Sequence, residues 1–172
     1  MLNFKIADTE KEFEQIFRLN YETFVEEITQ HQQNESHKLV DKFHHENTYL
    51  ICKKDDELIA MVAYRKQRPF SLDHKLPNLD SYFPYGKINP CELRLLSIKK
   101  EYRGGKIFFQ IASKLTRYVL SHDCDIAVIS GTTRQEKLYK HMGFTPFADL
   151  VGDEKAKFQP MFLTHETIAI KI

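Results

Sequence analysis

The sequence predicts an α/β (α+β) fold: one domain over residues 1–172, built on a mixed sheet with helices packed against it. Three observations carry that expectation. Two apolar runs, residues 48–52 and 58–64, flank a short polar turn in hairpin style. A strand, helix and strand follow one another over residues 91–130. Two helix starts are marked by a hydroxyl followed three residues later by a carboxylate. The 172 residues include 42% hydrophobic side chains, with 13 Phe and 8 Tyr, enough for an aromatic-rich core. Only 6 Gly and 6 Pro exclude a low-complexity or collagen-like chain.

The elements follow in order. Residues 2–7 read as a short strand, after which Thr9-Glu10-Lys11-Glu12 matches a capping box. Phe13, Ile16, Phe17, Tyr21, Phe24, Val25 and Ile28 recur at spacings of three and four, so one long helix or two consecutive helices reach about residue 30. Residues 30–38 are polar and aperiodic and read as an exposed loop. After the hairpin, residues 68–90 hold four prolines and read as a long irregular excursion.

Residues 91–98 form an almost wholly apolar strand, expected at the centre of the sheet. Ile107, Phe108, Ile111, Leu115 and Val119 share one helical face, and residues 125–130 read as a buried strand. Thr133-Arg134-Gln135-Glu136 suggests a second capping box for a helix running to Met142, which Gly143 would stop in left-handed geometry. The tail, residues 161–172, alternates at Ile168, Ile170 and Ile172 and is expected to close as a strand.

Charge excludes several classes. The 25 basic and 24 acidic residues leave +1, without the basic excess of a generic nucleic-acid binder. No apolar run approaches the roughly 18 residues of a membrane span, and Asp8 and Glu10 in the N-terminal stretch do not suit a signal peptide. Neither nucleic acid nor membrane is an expected partner. Cys52, Cys91 and Cys124 are odd in number and lack a CxxC, which fits inert buried thiols in a reducing cytoplasm.

The chemistry concentrates where the central strand ends. Over residues 96–107 a buried strand gives way to a turn containing Gly104 and Gly105, and then to a helix. Glycines admit a ligand close to the backbone, and a helix N-terminus offers unsatisfied N–H groups to an anion. Four cations, Lys99, Lys100, Arg103 and Lys106, face one anion, Glu101. Two readings stand: a diphosphate cradle, or a tight turn with a solvated charged rim.

A second element lies beyond the next strand, where Leu138-Tyr139-Lys140-His141-Met142-Gly143-Phe144 ends a helix. The order strand, Arg-Gly turn, helix, strand, then a helix closing in Leu-Tyr-x-x-x-Gly-Phe resembles the GNAT superfamily of acyl-CoA-dependent N-acyltransferases, over about residues 92–147. The resemblance implies a mixed, mostly antiparallel central sheet flanked by helices. It implies that backbone groups of Leu96, Ser97 and Ile98 hold a pantetheine arm and that the N–H groups of Arg103, Gly104, Gly105, Lys106 and Ile107 hold the pyrophosphate. Tyr139 would face the thioester sulfur and assist the thiolate. Glu92, four residues before Leu96, occupies the position of the general base used in part of the superfamily. The alternative for Glu92 is a carboxylate paired with Arg94 or a lysine, and for Tyr139 a half-buried helix aromatic. This chain departs from the superfamily pattern at Lys106 and Phe108, where a glycine and a small residue are usual.

The first half is similar to acyl-homoserine-lactone synthases and N-acyl amino acid synthases, carried by residues 17–27, Asp41-Lys42-Phe43, Tyr49-Leu50-Ile51 and Glu92-Leu93-Arg94. Asn20, His44 and Ala63 stand where the lactone synthases have an arginine, a carboxylate and an arginine, which argues against lactone synthesis itself. Residues 22–46 hold six Asp or Glu against two Lys, a net −4, fitting either a pocket for an amine or a solvated face. Phe70, Leu76, Leu79 and Phe83 in the Pro-rich excursion fit either an acyl groove or plain core. His44 and His45 read as a surface cluster rather than a metal site.

These readings converge on a cytoplasmic N-acyltransferase that uses acetyl-CoA or a longer acyl-CoA as co-substrate, with no metal. The expected acceptor is a small-molecule amine or amino acid. The alternatives are an acyl-carrier-protein-dependent N-acyl amino acid or autoinducer-like synthase, and a non-catalytic domain of the same fold that binds CoA or a partner.

Overall fold

The computed structural model describes residues 1–122, 124–154 and 157–168. Among the described residues, eight strands form one mixed sheet in the order β1-β2-β3-β4-β5-β8-β6, with β7 paired to β8. These are β1 (Leu2–Ile6), β2 (Thr48–Lys54), β3 (Glu57–Arg65), β4 (Pro90–Ile98), β5 (Ile126–Thr132), β6 (Thr145–Pro146), β7 (Val151–Gly152) and β8 (Lys157–Leu163). The helices are α1 (Glu10–Tyr21), α2 (Gly105–His122) and α3 (Glu136–Met142). The β4/β5 pair is parallel, whereas β1/β2, β2/β3, β5/β8, β6/β8 and β7/β8 are antiparallel. Among the described residues no helix is long and apolar enough to cross a membrane.

The chain divides into two compact units, Met1–Tyr64 with Arg94–Ile111, and Arg65–Leu93 with Ala112–Ile172. In the first, Thr9 caps α1 as its sequence predicts: its hydroxyl accepts from the Glu12 N–H, and the Glu12 carboxylate accepts from the Thr9 N–H. The apolar period continues past Tyr21 into a π-helical turn, Glu22–Glu27, so the long helix is a composite. Ile16 and Leu19 pack on Tyr49, Ile51, Met61 and Ala63. Tyr49 pairs with Ala63 and Ile51 with Met61, so all four point to one face of the hairpin, as a two-residue period requires.

In the second unit β5 divides its side chains between two faces. Ile126 and Val128 pack with Phe70, Leu72 and Leu79, and partly buried Leu76 and Phe83 join them. The Pro-rich excursion therefore supplies core, and its four candidate groove residues belong to that cluster. It is also less irregular than expected, since 3₁₀ turns form at Leu72–His74 and Leu79–Tyr82.

Two expectations are corrected. The second capping box does not form: β5 runs on to Thr132, the chain enters through a 3₁₀ turn at Thr133–Gln135, and α3 begins at Glu136 without a side-chain cap. The last described strand lies earlier than expected, at Lys157–Leu163, because Phe158 to Met161 pair with Thr132 to Ile129 of β5. Ile170 and Ile172 lie outside the described residues. Gly143 stops α3 at φ 104°, the left-handed geometry its position predicts.

Candidate active site

Near its end β4 leaves regular geometry. Leu95 adopts φ 59°, a left-handed value that a branched aliphatic residue rarely takes inside a strand. Such a residue interrupts a ladder and re-aims the peptide groups beside it. The Ser97 hydroxyl, buried, donates to the Leu95 carbonyl at 3.3 Å. Leu96, Ser97 and Ile98 follow Leu95 and complete the strand.

The turn that follows is held internally. The Lys99 N–H donates to the Ile59 carbonyl, and the N–H groups of Tyr102 and Arg103 close onto Lys99 and Lys100 across a 3₁₀ turn. Arg103 therefore spends its N–H inside the turn. Its side chain is equally committed: Nε donates to the Ile98 carbonyl at 2.5 Å, and Nη1 and Nη2 grip the two Glu27 oxygens at 2.6 and 3.0 Å. Gly104 takes φ 89° and delivers the chain into α2 at Gly105. A side chain at 104 would meet nothing within 4 Å, so conformation rather than clearance demands glycine there, and the space beside it is open.

The first turn of α2 then presents the N–H groups of Gly105, Lys106 and Ile107, which an α-helix leaves without intrahelical partners. A helix N-terminus is the end that the macrodipole makes favourable to negative charge. Lys99 is neutralised by Glu57 at 2.6 Å and Arg103 by Glu27. Among the described residues, Lys100 and Lys106 carry the turn's exposed charge without an ion pair, and Ile107 is also exposed. Phe108 turns onto Phe109 edge to face, ring centroids 5.1 Å apart.

The same unit holds a polar cluster that the sequence read only in pieces. Asp41 accepts from Arg94, from the Asn47 side chain at 2.8 Å and from the Phe43 N–H at 3.2 Å. Burial works against the charged form of Asp41, but Arg94, Asn47 and the Phe43 N–H outweigh it and hold the carboxyl below its ordinary value. Asn47 and His44 both meet the Tyr49 hydroxyl, at 3.2 and 3.0 Å. The surface reading of His44 is corrected: its ring sits edge-on to Phe13 and Phe17 at 5.3 and 5.1 Å, and burial pushes its pKa down. Asp41 and Glu27 also supply two of the six acids in the −4 segment, so arginines from elsewhere in the chain offset part of that bias.

Glu92 and Tyr139 belong to the other unit. Glu92 is buried in β4 opposite Val128, and its two oxygens accept from the N–H groups of Ser71 and Leu72 at 3.1 and 3.0 Å. The carboxylate thereby fixes the entry to a 3₁₀ turn of the Pro-rich segment.

Tyr139 lies on α3, half-buried, its ring edge-on to Phe144 at 5.6 Å. Its hydroxyl donates to the Gln135 side-chain oxygen at 3.3 Å, which the Thr132 hydroxyl also reaches at 3.4 Å. Burial pushes the phenol up to about 12, so it remains a donor throughout the neutral range. A Cβ at Gly131 would stand 3.3 Å from the Tyr139 ring and 3.3 Å from the Met161 sulfur. Gly131 thus allows the ring to lie close against β5. Nothing in the sequence singles out Gln135 or Glu27, and a glycine inside an apolar strand is the one signal for Gly131. Among the described residues no three His, Cys, Asp or Glu side chains gather as a metal site.

Comparison with known proteins follows the same lines. No curated protein sequence matches the chain. Among solved structures, a CoA-dependent acyl-homoserine lactone synthase, BjaI, described with SAM and isopentyl-CoA, is similar at TM-score 0.73 and 18% identity, covering 92% of this chain and 79% of that one. FeeM, an N-acyl amino acid synthase from uncultured soil microbes, is similar at TM-score 0.68 and 18% identity, covering 95% and 90%. ElaA of Escherichia coli is similar at TM-score 0.63 and 18% identity, covering 94% and 99%. At these identities the likeness shows the fold, that of the GNAT acyltransferases. The model of the family described as N-acyl amino acid synthase FeeM matches residues 15–165, and the chain belongs to that family of N-acyltransferases.

Proposed function

We propose that this enzyme takes an acyl group from an acyl-CoA and transfers it directly to the amine of an amino acid or similar small molecule, as one acyltransferase domain. The observation that supports the donor is the turn at 98–104, open beside Gly104 and followed by the first helical N–H groups at Gly105, Lys106 and Ile107, with the exposed charge of Lys106 among them. A diphosphate needs that combination of directed donors and charge. Arg103 acts as the clamp that shapes the turn rather than as a phosphate ligand. Leu96, Ser97 and Ile98 offer backbone groups to the pantetheine arm. CoA dependence in BjaI, in the words that describe it, supports the same donor class.

In the proposed reaction the amine nitrogen attacks the thioester carbonyl. Glu92 accepts the ammonium proton, its orientation fixed by two backbone donors. Tyr139 donates a hydrogen bond to the negative charge developing on sulfur; with its phenol at about 12 it stabilises the thiolate without surrendering the proton. No metal enters this scheme. The family description favours an amino acid as acceptor and admits acyl carrier protein as an alternative carrier of the acyl chain. Localisation in the cytoplasm fits such a donor.

Calorimetry with CoA, then thiol release with acyl-CoAs of increasing chain length and an amino-acid panel, tests the reading. Micromolar binding and amino-acid-dependent thiol release are expected. Turnover with acyl carrier protein alone would replace CoA as donor, and absence of CoA binding would remove the diphosphate assignment.

A further inference from the structure

We infer that Cys91 and Cys124 form an oxidisable dithiol site, converted by a hydroperoxide to an intramolecular disulfide that brackets the proposed donor segment. Their sulfurs face each other 2.6 Å apart, both buried. A disulfide joins sulfurs at ~2.05 Å, and these two already lie in direct contact.

The surrounding backbone holds this approach in place. Cys91 opens β4, where it pairs with Ala127 of β5. Cys124 lies just before β5, with its sulfur 3.8 Å from the Val119 carbonyl of α2. The Asp125 N–H donates to the Asn89 carbonyl at 3.0 Å, while the Asp125 carboxylate accepts from the N–H groups of Ile88 and Asn89, both at 3.0 Å. Those three bonds pin the residues flanking the two cysteines to one another. Neither thiol has a place in the proposed acyl transfer.

Burial sets the order of events. Cys124 is 5% exposed and Cys91 is fully covered. The Cys124 sulfur attacks the peroxide oxygen, breaking the O–O bond and giving a sulfenic acid and an alcohol, or water when the oxidant is hydrogen peroxide. The Cys91 sulfur then displaces the sulfenic oxygen as water, forming the S–S bond. Two electrons pass from the thiols to the peroxide, and a reductant of the phosphine or dithiol class reverses the change. The closed loop contains Glu92, Leu95, the turn at 98–104 and α2.

The test is made on the full-length chain and its readout does not depend on acyl transfer. The folded protein is treated with hydrogen peroxide, unfolded in N-ethylmaleimide and measured by intact mass and peptide mapping. One adduct, at Cys52, is expected, with a Cys91–Cys124 cross-linked peptide, a Tm raised by roughly 5–10 °C, and recovery of three adducts after phosphine. In Cys91→Ser a dimedone adduct accumulates on Cys124, whereas Cys124→Ser leaves Cys91 unlabelled. Three adducts after peroxide, a cross-link involving Cys52, or sulfinic acid at Cys124 in the wild-type chain overturns the proposal. Equal labelling of Cys91 in Cys124→Ser overturns the order of attack.

Discussion

Arg103 and Glu27, 76 residues apart in sequence, form a two-bond ion pair at 2.6 and 3.0 Å, while the Arg103 Nε holds the Ile98 carbonyl. The arginine thereby ties the end of β4 to the π-helical turn and sets the angle at which the chain reaches Gly104. Glu27→Gln is expected to loosen that turn, raising the Kd for CoA by about tenfold while costing only about 1 kcal/mol of stability, because both side chains retain contact with water. Calorimetry beside a denaturant melt checks the split.

Glu92 anchors the Ser71 and Leu72 amides and is the proposed proton acceptor, and one substitution pair weighs the two roles. Glu92→Gln keeps an oxygen for one of the two N–H groups, and Glu92→Ala keeps none. A proton acceptor loses about 10²-fold or more in kcat in both variants. Both variants are expected to lower the Tm, Glu92→Ala further, since Gln strands one of the Ser71 and Leu72 donors and Ala strands both. Full turnover in Glu92→Gln would make the residue an anchor alone.

Tyr139→Phe is expected to reduce kcat by about 10- to 100-fold with little change in KM, the signature of an interaction formed at the transition state. Because burial raises the phenol to about 12, it brings no descending limb to the rate profile below about pH 10. Stability behaves accordingly: the unfolded chain ionises near ~10, before the folded one, so the Tyr139 contribution falls as pH rises from 10 to 12. Rate profiles and melts of wild type against Tyr139→Phe measure both.

Gly131→Ala places a methyl 3.3 Å from the Tyr139 ring and the Met161 sulfur and 3.4 Å from the Gln159 carbonyl. The backbone carbonyl cannot yield as the methionine can. A loss of about 1–2 kcal/mol in stability and a several-fold fall in kcat through displacement of Tyr139 are expected, read from denaturant melts and initial rates.

Glu12 governs acid stability. Its burial disfavours charge, but N–H groups of Asp8 and Thr9 and the ammonium groups of Lys5 and Lys53 prevail, bringing it from an ordinary 4.5 to about 2. Its contribution is complete above pH 4.5 and disappears as pH falls towards 2. Glu12→Gln should therefore cost more stability at pH 7 than at pH 2.5, a difference visible in parallel melts.

Features that depend on neighbours along the chain are legible in the sequence. The period of α1, its Thr9–Glu12 cap, the hairpin, the Gly104 turn and the left-handed stop at Gly143 follow from local sterics and side chains within one helical turn of each other. The order of strand, glycine turn, helix and Leu-Tyr-x-x-x-Gly-Phe was enough to reach the acyltransferase fold. Tertiary structure alone decided which charged groups meet: Glu27 with Arg103, Asp41 with Arg94, and Glu92 with the Ser71 and Leu72 amides. It also pairs β8 with β5 and leads into α3 through a 3₁₀ turn rather than a side-chain cap. A left-handed Leu95 has no local signal, since nothing in a leucine asks for it. Such features record spatial contacts between distant segments, and a linear sequence encodes them only through the fold it specifies.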